Sequence, residues 1–237
     1  MPALLEALAE RKAEFDSHLA FAMAVEERLV DGDPVELGAF NVGVRHLMTI
    51  KSGLIIHLYN IVEALMTKAI SGVATAVQAS PPGEWSPDTL REWLRYSASI
   101  DLNGNEDSRL KVVHGAARKL LQVDPIDTLN FKKPSGTWSD KVIVSFSKRL
   151  NVNFPLNKEI AAVVKKEERY GGRTPLEFLA DRRNDIAHGV RTFEHGAQDL
   201  TLSDISELYG SSILYMEYAI AAFELFIKDK KYLSVKN

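Results

Sequence analysis

The sequence predicts an all-α fold, a helical bundle with two to three long helices and several short ones. Three observations predict it. Apolar residues recur at helical spacing in long stretches at the start of the chain, around position 60 and near the end. The breaks between these stretches hold the residue types that cap and stop helices. No alternating run of strand type stands out, although Val142–Phe146 is rich enough in β-branched residues to leave that segment open.

The elements follow in order. Residues 2–30 place apolar side chains such as Leu4/Leu8 and Leu19/Met23 at helical spacing, and Asp31-Gly32-Asp33-Pro34 stops the helix. A second long helix runs from about Val44 to Gln78, with Ile50, Leu54, Leu58, Ile61, Leu65 and Ile70 as its apolar stripe. Ser80-Pro81-Pro82-Gly83 ends it. Ser86-Pro87 then starts a short helix through Trp93, serine as cap and proline in the first turn. Asp101–Ser108 is expected as a polar loop and Arg109–Leu121 as a helix. Asp124–Trp138 is expected to be irregular, with a turn at Ser135-Gly136. Ser139 opens a helix to about Leu150, and another is expected from Leu156 to Arg169, stopped by Gly171-Gly172. Thr174-Pro175-Leu176-Glu177 pairs a capping box with proline at the first helical position. The helix it opens carries Leu176, Leu179 and Ile186 on one side and ends near His188, where Gly189 suits the left-handed closing position. A last long helix spans about Ser203 to Lys230.

Length and composition fit one elaborated domain over residues 1–237. With 46% apolar and 26% charged residues, the chain has the mass for a packed core and none of the bias of a disordered chain. It has no cysteine, which excludes disulfides and thiolate metal sites and suits a cytoplasmic setting. The start leads into an amphipathic helix with no basic leader or cleavage site, so no secretory signal is expected. Gly53–Met66 and Ile213–Ile227 are expected to be buried helices, too short and too polar to span a bilayer. The net charge of −3 argues against non-specific coating of nucleic acid. Phe131–Arg173, however, holds 10 Lys/Arg against 4 Asp/Glu. That run suits either one polyanion site or the solvated faces of short helices.

The chemistry concentrates in Arg182-Arg183-Asn184-Asp185-Ile186-Ala187-His188-Gly189. Arginine offers a permanent fork of donors to a phosphate or to the charge of a phosphorane. Histidine titrates near neutrality and moves protons to or from a hydroxyl or a leaving oxygen. Asparagine holds an imidazole or a phosphate oxygen without adding charge. On an ideal helix Asn184 and His188 lie about 40° apart, whereas Arg183 and His188 are about 140° apart. The latter pair meets only if the helix loosens at its end or a second copy completes the site. Arg11…His18 and Arg109…His114 share the bare arginine–histidine spacing, but only the 183–188 instance adds asparagine after the arginine and a capped helix before it. A polar last turn with His188 at the negative end of the helix dipole accounts for the same residues without function.

At these residues the chain resembles the HEPN superfamily (higher eukaryotes and prokaryotes nucleotide-binding), whose nuclease members carry arginine, four to six residues, then histidine. Leu179–Gly189 is similar to that signature. Lys51–Glu63 resembles the early long helix of prokaryotic HEPN-like nucleases associated with defence and toxin–antitoxin loci, and Ser135-Gly136-Thr137-Trp138-Ser139 resembles their turn before the motif. The resemblance implies a helical bundle, frequently a homodimer with facing motifs. It also implies metal-independent endoribonuclease activity through 2′-hydroxyl attack on the neighbouring phosphate. Carried over, Arg183 stabilises the phosphorane, His188 is general acid or base, Asn184 orients groups and Arg182 is a second phosphate ligand. Asn60, Glu63 and Asp185 are supporting positions. RNA is the expected substrate, a neutralising or defence-system protein a possible partner, and no metal, cofactor or membrane is expected. Many relatives keep the fold without cleaving RNA, so a non-catalytic RNA- or partner-binding module is the alternative.

Glu63 among Ile61, Val62 and Leu65 is expected at the water edge of its helix or paired with Arg183 or Arg182. His46, His57, His114 and His195 show no metal-ligand spacing. Trp93/Tyr96, Tyr215/Tyr218, Trp138 and Phe146 are expected in packing, with base stacking as the alternative for the last two.

Overall fold

A computed structural model of the chain describes residues 2–33, 35–97, 105–122, 126, 128–154 and 157–234. Among them are eight α-helices: α1 Pro2–Asp31, α2 Val44–Gln78, α3 Pro87–Ser97, α4 Glu106–Leu120, α5 Asp140–Arg149, α6 Lys158–Val163, α7 Pro175–Ala187 and α8 Leu202–Lys228. The all-α expectation holds, with one small addition. Val35–Leu37 (β1) and Phe40–Val42 (β2) pair antiparallel, Leu37 opposite Phe40. Gly38, at φ +64°, takes the first position of their two-residue turn, a conformation in which a Cβ would be strained. The apolar–polar–apolar triplets on either side of Gly38-Ala39 are the signal for this hairpin, and they are too short to register as an alternating run.

The described residues pack as two compact units. The first comprises Met1–Leu65, Thr137–Asp140 and Leu156–Tyr218; the second comprises Met66–Gly136, Lys141–Pro155 and Ala219–Asn237. In the first, α1 buries Leu4, Leu8, Phe15, Leu19, Ala22 and Val25, spaced by three, four or seven residues. Met23, expected with Leu19, is exposed, because the stripe passes through Ala22 instead. Phe15 stacks on Tyr209 of α8 with centroids 4.4 Å apart. The α2 stripe is buried as expected from Leu54 through Leu65, while Ile50 is only half-buried.

The second unit closes around a charged cluster. Glu92 on α3 is fully buried and accepts from Arg95 Nε at 2.6 Å and from Arg149 Nε at 2.8 Å. Two arginines on one carboxylate supply the compensation that a buried charge requires. Trp85 donates its indole N–H to the Ser80 carbonyl at 2.9 Å and packs edge-on against Trp93. Phe146 is fully buried and Trp93 nearly so, whereas Tyr96 is exposed.

Several boundaries differ from expectation for local reasons. The helix after Pro87 continues past Trp93 to Ser97. Residues 106–108 are helical, not loop, because the Asn105 side chain accepts from Ser108 N at 2.8 Å and caps α4. Asp101–Gly104 lies outside the described residues, as do Pro34, Asp124, Pro125, Asp127 and Leu156. The helix expected from Leu156 to Arg169 is instead α6 and a single 3-10 turn, Glu168–Tyr170. Glu167 between them is extended and pairs with Arg173, its N–H donating to the Arg173 carbonyl at 3.0 Å. Val142–Phe146 is helical, within α5. Both α2 and α8, taken whole, are long and apolar enough to cross a membrane by length and composition. Of their most apolar windows 56% and 50% is buried inside the protein.

Candidate functional site

Helix α7 presents the motif, and both its ends are fixed locally. Thr174 Oγ1 accepts from Glu177 N at 3.2 Å, and the Glu177 carboxylate accepts from Thr174 N at 3.2 Å, with Pro175 in the first turn. Thr174 Oγ1 also donates to the buried Asp140 at 2.6 Å, tying the start of α7 to the start of α5. Leu176, Phe178, Leu179, Ala180 and Ile186 are buried. At the other end His188 N donates to the Asn184 carbonyl at 2.9 Å, and Gly189, at φ +72°, turns the chain.

Arg183 emerges from this helix onto α2. Its guanidinium carbon lies 4.6 Å from the Tyr59 ring centroid. Nη2 reaches Glu63 Oε2 at 3.4 Å, and Nη1 reaches Asn184 Oδ1 at 3.2 Å. Asn184 in turn donates Nδ2 to Thr137 Oγ1 at 3.4 Å. Tyr59 is itself fixed, since its hydroxyl accepts the Trp138 backbone N–H at 2.8 Å. Burial is the main cause that raises the Tyr59 hydroxyl above its ordinary range, so it stays protonated. The Arg183 side chain is 25% exposed and Glu63 45% exposed. A carboxylate contact of 3.4 Å is long for a charge-assisted bond, typically about 2.7–2.9 Å.

The other expected residues are placed differently. Arg182 is buried: its guanidinium takes Asp199 in two bonds of 2.5 and 2.8 Å, donates to the Gly196 carbonyl at 2.9 Å and covers the Phe178 ring. Its forks are occupied, so the expected role as a second phosphate ligand gives way to a packing role. Arg182 also holds the Asp199 carboxyl below its usual range. Asp185 faces Arg191, at 3.6 Å, rather than the Arg183 cluster. Asn60 is exposed on α2, one turn before Glu63. His188 is exposed, and its ring has no hydrogen-bond partner among the described residues. Within one chain Arg183 and His188 share no hydrogen bond, as the angle between them predicts. Beside His188, Val190 and Phe193 are also exposed.

Tyr59, Thr137 and the Trp138 N–H are the contributors that sequence reasoning left out of the site. Tyr59 and Glu63 are four apart on α2, the spacing that puts an aromatic face and a carboxylate under one guanidinium. The basic run from Phe131 to Arg173 does not stay intact. It divides between the two units, and Arg149, Arg169 and Arg173 are committed to Glu92, to Glu167 and Glu207, and to Asp181. Trp138 and Phe146 are buried rather than free to stack. Among the described residues no group of three or more His, Asp or Glu side chains is arranged to hold a metal ion.

No curated protein and no solved structure matches the chain. A family model does, over residues 2–232: that of the HEPN_MAE_28990-like HEPN family. A match of that extent, on a helical chain with the arginine–histidine motif at the end of a capped helix, places this protein in the HEPN superfamily.

Proposed function

We propose that the protein is a metal-independent endoribonuclease of this superfamily, with Arg183 and His188 as its catalytic residues. The observation that carries the reading is Arg183 itself. It is a partly exposed guanidinium, positioned by the face of Tyr59 and by Asn184, and held by one long contact to Glu63. In the proposed reaction the 2′-oxygen loses its proton and bonds to the adjacent phosphorus. The bond to the 5′-oxygen breaks, that oxygen takes a proton, and a 2′,3′-cyclic phosphate remains. Arg183 neutralises the charge on the phosphorane oxygens. His188, exposed at the helix end, takes the first proton or delivers the second.

Because Arg183 and His188 share no hydrogen bond within a chain, a homodimer is part of the proposal, the second copy bringing its motif to the first. The exposed Val190 and Phe193 beside His188 are apolar surface suited to such an interface. A cytoplasmic toxin or effector of bacterial defence, with a protein partner that restrains it, is the biological setting suggested by the resemblance. The experiment is incubation of mixed RNA in EDTA with the wild type, Arg183→Ala and His188→Ala. Cleavage by the wild type, lost in both variants, is the expected outcome.

The lack of a hydrogen bond between Arg183 and His188 also favours a second reading, a non-catalytic module whose cluster binds an RNA phosphate. In that case wild type and His188→Ala bind RNA alike and neither cuts it.

A further inference from the structure

Thr137 opens a short segment that is pinned along its length. The backbone N–H of Trp138, the next residue, donates to the Tyr59 hydroxyl at 2.8 Å, and the Trp138 side chain is buried. Beyond it the Asp140 carboxylate accepts from Thr174 Oγ1 at 2.6 Å, and the Asp140 carbonyl accepts from the Tyr215 hydroxyl at 3.1 Å. Thr137 itself is only half-buried. Its side chain is therefore held on a rigid support and still reaches solvent.

The hydroxyl joins the Arg183 cluster through one amide. Arg183 Nη1 donates to Asn184 Oδ1 at 3.2 Å, and Asn184 Nδ2 donates to Thr137 Oγ1 at 3.4 Å. This orientation of the amide is the consistent one, since turning it over would set its NH2 group against the guanidinium. It also fixes the role of the hydroxyl. Thr137 Oγ1 accepts from Asn184, so its own proton is left to donate, and among the described residues no acceptor takes that proton. Arg183 spends its fork of N–H donors on two hydrogen bonds, to Asn184 and Glu63. The cluster thus offers a charged donor and a neutral one, bridged by a single carboxamide. A carboxamide carries its two heteroatoms on one carbon; a phosphate carries its non-bridging oxygens on one phosphorus and has a similar reach. Arg182, expected as the second phosphate contact, is committed to Asp199 and the Gly196 carbonyl, which leaves this hydroxyl as the donor beside Arg183.

We infer that Thr137 is a second ligand of the phosphate that Arg183 binds, its hydroxyl donating to one non-bridging oxygen while the guanidinium holds the other. The inference rests on the reading that this cluster takes an RNA phosphate, but not on cleavage. A neutral donor has its own signature: it adds a hydrogen bond to an anion without releasing a counterion.

The test is a fluorescence-anisotropy titration of a labelled 2′-O-methyl oligoribonucleotide, which lacks the attacking hydroxyl and stays intact, at several salt concentrations. The full chain is used as wild type, Thr137→Val, Thr137→Ser and Arg183→Ala, with melting curves to confirm folding. Thr137→Val is expected to weaken binding by about tenfold at every salt concentration, the worth of one hydrogen bond to a charged group, and to keep the wild-type salt slope. Arg183→Ala is expected to lower that slope by about 0.7, one phosphate contact on a single strand. Thr137→Ser, which keeps the donor, recovers most of the lost affinity. Equal binding by wild type and Thr137→Val overturns the inference. So does a slope lowered as in Arg183→Ala, because Thr137 would then act only by holding Asn184 and Arg183 in place. No binding by wild type removes the inference together with the phosphate role of Arg183. Cleavage of unmodified RNA separates the inference from the nuclease reading. Binding that follows the expected pattern without any cleavage keeps Thr137 and removes the nuclease. Cleavage by wild type and Thr137→Val with the same KM removes Thr137 and leaves the nuclease.

Discussion

The Arg183 guanidinium lies over the ring of Tyr59 with 4.6 Å from carbon to centroid, and the Tyr59 hydroxyl is anchored by the Trp138 N–H. The arginine is thus oriented by a flat face beneath it and by the Asn184 carbonyl oxygen at its side. A lysine keeps the charge but neither the stacking nor the fork. Arg183→Lys is expected to lose about 100-fold or more of cleavage, comparable to removal of one preorganised donor. Initial rates on a labelled RNA check this, and a lysine variant within a few-fold of wild type counts against the oriented-fork role.

Glu63 holds Arg183 through a long, partly exposed contact, so its removal hardly touches stability. Glu63→Gln is expected to shift unfolding free energy by less than about 1 kcal/mol. It also frees the guanidinium for phosphate, so KM for RNA falls or stays constant. Denaturant melts with steady-state kinetics test both parts; a large stability loss would show that the pair is structural.

Arg182 and Arg183 are neighbours in different surroundings, the first buried and the second partly exposed. Arg182 is buried with two bonds to Asp199 and one to the Gly196 carbonyl. Arg182→Ala is expected to destabilise the fold by about 2–4 kcal/mol, from lost charged hydrogen bonds and an unpaired partner. Arg183→Ala is expected to stay within about 1 kcal/mol of wild type while losing activity. Urea midpoints for the two variants, side by side, decide it; equal destabilisation contradicts the division of roles.

His57 gives the fold an acid-sensitive element. Burial is the main cause holding its imidazole below the ordinary value; Glu14 opposes this, and His18 and Arg11 add to it. The unfolded chain therefore takes up a proton at His57 before the folded chain does. This contribution to stability is complete above about pH 6.5 and is lost as pH falls through the lower folded value. Melting temperatures measured from about pH 7.5 to 5.5 should fall more steeply for wild type than for His57→Gln. Parallel curves rule out His57 as the source.

Much of this was legible in the sequence because it is local. Both bounds of α2, the capping box at Thr174 and the turn at Gly189 follow from side chains within a few positions of one another. What escaped depends on partners far along the chain. Glu167 leaves the helical path because it pairs with Arg173, and Arg182 is committed because Asp199 and Gly196 come back to it. At the site, Arg183 and Asn184 stood out by residue type. Tyr59 did not, since an aromatic on an apolar stripe looks like core until the guanidinium is seen to lie on it. His18 and His57, on different helices, were likewise invisible as a pair.

The central claim, cleavage by 2′-hydroxyl attack at a site built on Arg183 and His188, is tested most directly on a synthetic RNA carrying one mapped cut site. Wild type, Arg183→Ala and His188→Ala are compared in EDTA, with the intact RNA and with a copy lacking only the 2′-hydroxyl at that site. The expected product is a 2′,3′-cyclic phosphate end, from wild type alone and only on the intact RNA. Cleavage of the 2′-deoxy copy, or undiminished cleavage by either variant, would contradict it.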